Sequence, residues 1–336
     1  MAFTPRFIVS ARLLRELEVI ADLRARIAAA TVLVAWIPRL QKDSRQRSAH
    51  ASTAIEGNPL TLDEVRALEA GRPLSVHPER AKREVLNYFA GLRWMEKRAR
   101  QKKSATHEDI LRLHGLLAGG IMDQGEAGRY RTIAVRVGPH LPPPPDAVSG
   151  LMRELLDWWN GPSAVWPPVL TSAILHHRFE EIHPFADGNG RAGRLLALWE
   201  LYRRGFDTHH VFSIDEFYLE NRPRYYASLA AVPAAGGDLT GWLEYTTEGL
   251  RVTLERVWLR VQQFAAKAGL KKTVLRPSQE RLLHLLRDRP EGLVPAEIWT
   301  ALDVTKQGAA YILAPLLKAR LVKRVGTRKN GRYLLV

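Results

Sequence analysis

The chain contains no cysteine in its 336 residues, which excludes a disulfide framework and any thiolate-bound metal. It also lacks a long apolar run. The longest, Ala28 to Ile37, is broken by Thr31 and is too short to span a bilayer. The opening Met1-Ala2-Phe3-Thr4-Pro5-Arg6 has no apolar core behind it, so it does not read as a signal peptide. With no thiol and no membrane segment, the expected setting is the cytoplasm. Internal repeats and long low-complexity segments are absent. Negative charge is scarce: Lys+Arg number 50 against Asp+Glu 35, a net +15. Such an excess implies an anionic partner, a nucleotide or a nucleic acid.

What is present is concentrated in His183-Pro184-Phe185-Ala186-Asp187-Gly188-Asn189-Gly190-Arg191-Ala192-Gly193-Arg194. Behind it Leu195, Leu196, Leu198, Trp199, Leu201 and Tyr202 follow a helical pattern. The order is that of a loop feeding a helix N-terminus, where unpaired N–H groups and the helix dipole attract anions. Gly188 and Gly190 let a phosphate approach the backbone. Arg191 and Arg194 are neighbours on the first turn and are expected to reach one anion together. Asp187 is a hard oxygen ligand suited to Mg²⁺ bridging phosphates. His183 is suited to general-base work near neutral pH.

This run resembles the Fic family signature His-Pro-Phe-x-Asp-Gly-Asn-Gly-Arg-x-x-Arg and matches it at every specified position. The resemblance implies a mainly α, Fic-type helical bundle with a small β-hairpin flap. It also implies a protein adenylyltransferase moving AMP from ATP to a Tyr, Thr or Ser hydroxyl of a protein, itself included. His183 would be the base and Asp187 would hold Mg²⁺. Gly188, Asn189, Gly190, Arg191 and Arg194 would bind the phosphates. Relatives that phosphorylate carry lysine where this chain has Gly190, which favours AMP. Tyr226 lies where relatives have aromatic residues near adenine, although an aromatic at helical spacing is more often core. The stretch 232–238 lacks the asparagine that many relatives place near the nucleotide.

Helical spacing over Leu13, Leu14, Leu17, Ile20, Leu23 and Ile27 predicts a first helix from about Ala11 to Leu40. A second is expected over about 43–57, ending at Gly57-Asn58-Pro59. Glu56 then sits in the last turn, where the helix dipole disfavours a negative charge, and such breaches often mark function. Ser52, Glu56 and Gly57 also match the inhibitory helix of Fic proteins that carry it N-terminal to the core. The resemblance implies that Glu56 pairs with Arg194 and so denies that arginine to the γ-phosphate of ATP.

Further along, Thr61-Leu62-Asp63-Glu64 reads as a capping box, and a longer helix is expected over about Pro78 to Gln101. Gly128 to Gly138 alternates like a strand and stands where the family has its flap, so residues 129–138 are the expected docking edge for the protein target. His176 and His177 lack a companion carboxylate at ligand spacing and read as structural. One helix is expected over Asp215 to Ala231 and another from Leu239 to about Ala268.

Fourteen Lys/Arg and five Asp/Glu fall in 271–336, so most of the excess charge is there. Three helices followed by a hairpin across Asn330-Gly331 suggest a winged helix-turn-helix domain, for which DNA contact through 271–336 is one reading. Pro315 inside the expected recognition helix would kink or end it. The expected domains are thus 1–104, 105–268 (the Fic core) and 269–336. Two alternatives to AMP addition stand beside it: AMP removal from a modified protein, and a DNA-binding regulator with a nucleotide-sensing Fic domain. A homo-oligomer is compatible with the chain.

Overall fold

A computed structural model describes residues 2–29, 33–74, 76–138, 140–206, 210–267, 276–287, 289, 291–319, 321–327 and 331–335. The chain forms two compact units. One comprises Met1–Leu23 with Asp43–Glu255, the other Arg24–Lys42 with Arg256–Val336. The described residues are mainly helical.

In the first part of the chain two helices are present as expected, but they divide earlier than the expected boundary after Leu40: α1 (Ala11–Ala29) and α2 (Leu33–Ile55). Helix α2 ends in a Schellman motif. The Asn58 N–H donates to Thr53 O, the Gly57 N–H donates to Ala54 O, and Gly57 adopts φ +96°. Only glycine takes that conformation at no steric cost. Glu56 is therefore the C-cap residue, held at a fixed exit point. Helix α3 (Leu62–Glu69) starts with the expected Thr61–Glu64 capping box. Helices α4 (Glu79–Arg100), α5 (His107–Ala118) and α6 (Pro145–Asn160) follow.

The centre of this unit is the pair α7 (Pro168–Ile182) and α8 (Asn189–Arg203). Both are buried around nearly their whole circumference, as a helix packed on all sides must be. Ile174, Phe179, Leu195 and Trp199 are fully enclosed, each contributing roughly 1.5–3 kcal/mol by removal from water. The expected helix over 215–231 is broken into α9 (Asp215–Glu220) and α10 (Arg222–Ala234). Asn221 leaves helical geometry there and caps α10 by accepting from the Arg224 N–H, and Pro223 follows in its first turn. Helix α11 (Thr240–Lys267) completes the series. Between α5 and α6 the expected flap strand forms no ladder among the described residues. A single antiparallel bridge joins Val137 and His140.

In the second unit α12 (Pro277–Arg287), α13 (Pro295–Leu302) and α14 (Lys306–Lys318) surround Leu283, Ile298, Leu313 and Leu316. Strands β1 (Val322–Val325) and β2 (Arg332–Leu335) pair antiparallel, Val322 opposite Leu335, and an isolated bridge adds Leu293 beside Tyr333. The linker expected at Gly269–Lys272 and residue Asn330 of the hairpin turn lie outside the described residues. Pro315 does not end α14, which continues to Lys318. The hydrogen bond that proline forgoes would have gone to the carbonyl of Tyr311, an exposed residue that water can serve.

Candidate active site

Helix α7 stops abruptly at His183, a non-glycine residue in the left-handed region at φ 49°, ψ 61°. That conformation is costly and persists only when its surroundings enforce it. Arg131 does so. Its guanidinium donates to the carbonyls of His183 (2.8 Å), Ile133 (3.0 Å) and Pro143 (2.5 Å). Its backbone N–H donates to Pro184 O at 2.9 Å. The loop then packs Phe185, fully buried, flat on His114 at 3.6 Å between centroids.

Asn189 closes the loop. Its side-chain oxygen accepts from the Phe185 N–H at 2.9 Å, and its amide donates to Phe185 O at 2.8 Å. The Asn189 side chain thus clamps the loop, and the phosphate contact expected of this residue falls to its backbone N–H. Gly188, at φ 78°, caps α8, so the first N–H groups of α8 open the helix without intrahelical partners.

Arg194 is buried and converges with α2. Its Nε donates to Ser52 Oγ (2.8 Å) and its Nη2 to both Ser52 O (2.8 Å) and Glu56 Oε1 (2.9 Å). Burial opposes its charge, but Glu56, Tyr225 and Asp215 together outweigh that and hold the guanidinium well above its usual range. Nη1 makes no hydrogen bond. The expected pairing of Glu56 with Arg194 is present as geometry, with Ser52 and Gly57 in the roles of partner and cap. Gly190 lies beneath it, and a Cβ there would collide with Glu56 Oε1.

Arg191 departs from expectation. It does not join Arg194; its Nη1 lies 2.6 Å from Glu84 Oε1 on α4, with Nη2 3.6 Å from Asp187 Oδ1. Glu84 draws the guanidinium behind the loop, where the side chain is 4% exposed. Asp187 is the exposed carboxylate of the loop, its Oδ1 accepting the Gly188 N–H.

These groups line one cavity of about 720 Å³, with Glu56, Glu180, His183, Asp187, Gly188, Gly190, Arg194 and Tyr226 in its wall. Burial pushes the His183 imidazole down to about 4, so it is neutral at neutral pH. Its Nδ1 is 3.3 Å from the carbonyl oxygen of Glu180. A carbonyl only accepts, so this contact puts the ring proton on Nδ1 and leaves the Nε2 lone pair open. Tyr226 is 37% exposed, its hydroxyl donating to Ile55 O at 3.4 Å. The expected structural role of His176 and His177 agrees with their burial. His176 Nε2 contacts the Tyr225 hydroxyl at 3.1 Å and His177 Nε2 contacts Leu229 O at 3.3 Å.

Several participants were not foreseen. Ser48 could have been: Ser48, Ser52 and Glu56 repeat every fourth residue and form one stripe of α2. Ser48 Oγ donates to Asp215 Oδ2 at 2.9 Å, Tyr88 donates to the same oxygen at 3.1 Å, and Asp215 Oδ1 lies 4.0 Å from Arg194 Nε. Asp215, Glu84, Arg131 and His114 carry no local signal, because the contacts that bring them to the site, to Ser48, Arg191, His183 and Asp187, each span more than 50 residues.

Residues 104–201 match the family model described as Fic/DOC family. The chain is 33% identical over 222 residues to "Protein adenylyltransferase fic-1" of Caenorhabditis elegans, covering 65% of this chain and 42% of that protein. It is 30% identical over 239 residues to "Protein adenylyltransferase Fic" of Drosophila willistoni, covering 69% and 45%. The chain thus spans about half the length of the curated relatives it matches. Among solved structures, a Fic family protein from Desulfovibrio desulfuricans G20 aligns with TM-score 0.68 and 28% identity over 99% of this chain and 98% of that one. Fic-1 (residues 134–508) of Caenorhabditis elegans aligns with TM-score 0.65 and 30% identity over 76% and 74%. The likeness extends well beyond the signature to most of the helices that hold it, and the chain belongs to the Fic family.

Proposed function

We propose that this protein transfers AMP from ATP to a hydroxyl of a protein substrate, and that Glu56 restrains the reaction. The observation that carries the reading is the meeting, in one cavity, of a neutral His183 with an open Nε2, the N-terminus of α8 and Arg194. The volume suits a nucleotide. The N–H groups of α8 and the Arg194 guanidinium supply donors for the phosphates. His183 Nε2 takes the hydroxyl proton as the oxygen attacks the α-phosphorus, and pyrophosphate leaves. Most of the rate advantage in such chemistry comes from holding the reacting groups in line.

Asp187 fits a magnesium ion as its single carboxylate ligand, because Mg²⁺ takes its remaining oxygens from water and phosphates. When bound, the ion would offset phosphate charge. Glu56 works by occupation: while its carboxylate holds Arg194 Nη2, that donor is lost to the terminal phosphate. For the target, the segment 129–138 is the docking edge we favour. Ile133 and Val137 are 40% and 37% exposed, and Arg136, Val137 and Gly138 reach the cavity wall.

For the C-terminal segment we infer a winged helix-turn-helix. Three helices, a β1–β2 hairpin and the Leu293–Tyr333 bridge support that reading. Exposed Lys323 and Arg324 on β1 suit phosphate contacts to DNA.

The test is AMP transfer from ATP radiolabelled at its α-phosphate, wild type beside Glu56→Gly. One charge-assisted contact corresponds to about 1.5–3 kcal/mol, so labelling should rise at least about tenfold in the variant. Equal labelling would remove Glu56 from the account. No labelling in either, with ATP still bound, would favour AMP removal.

A further inference from the structure

Glu180 stands one turn before His183 on α7, which puts both side chains on the same face. Its side chain is 13% exposed and lines the same cavity. Oε2 lies 3.7 Å from His183 Nδ1, while Oε1, 3.9 Å from His176 Nε2, makes no hydrogen bond. A buried oxygen left unbonded is costly, so packing alone gives no reason for a carboxyl here. The groups facing it are His176 and His183 from α7, Arg194 from α8, Tyr225 from α10 and Glu56 from the end of α2. Arg131 and His140 face His183 from the other side.

The reaction gives this carboxyl a task. The new bond joins the target oxygen to the α-phosphorus, and the bond to pyrophosphate breaks with its electron pair on the leaving group. The hydroxyl proton goes to His183 Nε2. An enclosed imidazolium results, next to the positive guanidinium of Arg131, and it needs a counter-charge. We propose that Glu180 is a positioning residue for His183: while the Glu180 carbonyl accepts the Nδ1–H, its carboxylate, 3.7 Å from Nδ1, balances the imidazolium by charge. The proposal rests on the AMP-transfer reading of the cavity.

Burial pushes the Glu180 carboxyl up to about 8, with Arg194 opposing the rise and Glu56 adding to it. With Glu56 in place the carboxyl therefore holds its proton at neutral pH and serves His183 poorly. Withdrawal of Glu56 removes one cause of the rise and eases ionisation. Glu56 thus acts on both arms of the site, on Arg194 by contact and on Glu180 by charge.

The experiment compares Glu56→Gly with Glu56→Gly/Glu180→Gln. Glutamine keeps the volume and cannot ionise. The rate of AMP transfer by Glu56→Gly should rise with pH through the Glu180 ionisation. The double variant should lose that rise, with kcat about tenfold lower on the alkaline side and KM for ATP unchanged, as expected when a charged neighbour becomes neutral. Identical pH profiles and kcat would overturn the proposal. A second readout needs no turnover. The ring ¹⁵N resonances of His183 should follow a second ionisation that Glu180→Gln abolishes, and identical imidazole titrations would overturn the pairing. Should Glu56→Gly transfer no AMP while the coupled titration persists, the assigned reaction falls and the Glu180–His183 pair stands.

Discussion

The two ends of α8 both gather arginines and carboxylates, and they use them in opposite ways. At the C-terminal end Glu200 is fully buried and saturated. It accepts from Trp159 Nε1 (2.7 Å), Thr171 Oγ1 (2.8 Å), Arg203 Nη2 (2.7 Å) and Nε (3.1 Å), and Arg204 Nη1 (3.4 Å). This network ties α6, α7 and α8 together and leaves its acceptor with nothing further to bind. At the N-terminal end Arg194 Nη1 and Glu180 Oε1 remain unbonded, Glu56 is partly exposed, and the first N–H groups of the helix face a cavity. Similar residue types form a structural joint where every polar group is paired, and a site where some are left open.

Three changes sharpen that contrast. The largest effect falls at the open end. His183→Ala should lower AMP transfer by roughly 10²–10⁴-fold, the span of general-base catalysis, while ATP binding persists. Turnover near the parent rate in a Glu56→Gly background would refute the base role. Next comes the saturated end. Glu200→Gln strands Arg203 in a buried network and should cost about 3 kcal/mol of stability, read from the denaturant midpoint. ATP affinity of the folded variant should not change; a loss of nucleotide binding with stability intact would break the division between the two ends.

The smallest effect is the acid dependence. Burial lowers His183 and His114 to about 4, below the unfolded value near 6.5. Each depressed group contributes stability that is present above pH 6.5 and lost as pH falls from 6.5 through 4. In a Glu180→Gln background, which removes the opposing gain from the raised carboxyl, the loss should be on the order of 1–3 kcal/mol, seen as a falling Tm, and a flat Tm across that interval would contradict neutral burial of the two rings.

Features built from nearby residues were legible before folding. The Thr61–Glu64 box, the Gly57 stop, the Leu195–Tyr202 pattern and the His183–Arg194 run all emerged where expected. Each depends on hydrogen bonds or periodicity within a few positions. Failures arose where two local signals compete or where a partner is distant. Asn221 and Pro223 divided a continuous apolar pattern. Among the described residues, flap positions with β-forming side chains found a single bridge, because strand identity needs a neighbouring strand. Arg191, adjacent to Arg194 on the helical wheel, was captured by Glu84.

Sequence by itself determined the helical stripes, the caps and the chemistry of the loop, since these follow from side-chain period and backbone preference. Tertiary structure alone decided who pairs with whom. It joined Glu56 to Arg194 across 138 positions. It enclosed Glu180 beside His183. Burial is a property of the packed chain, and it is burial that neutralises His183 and raises Glu180.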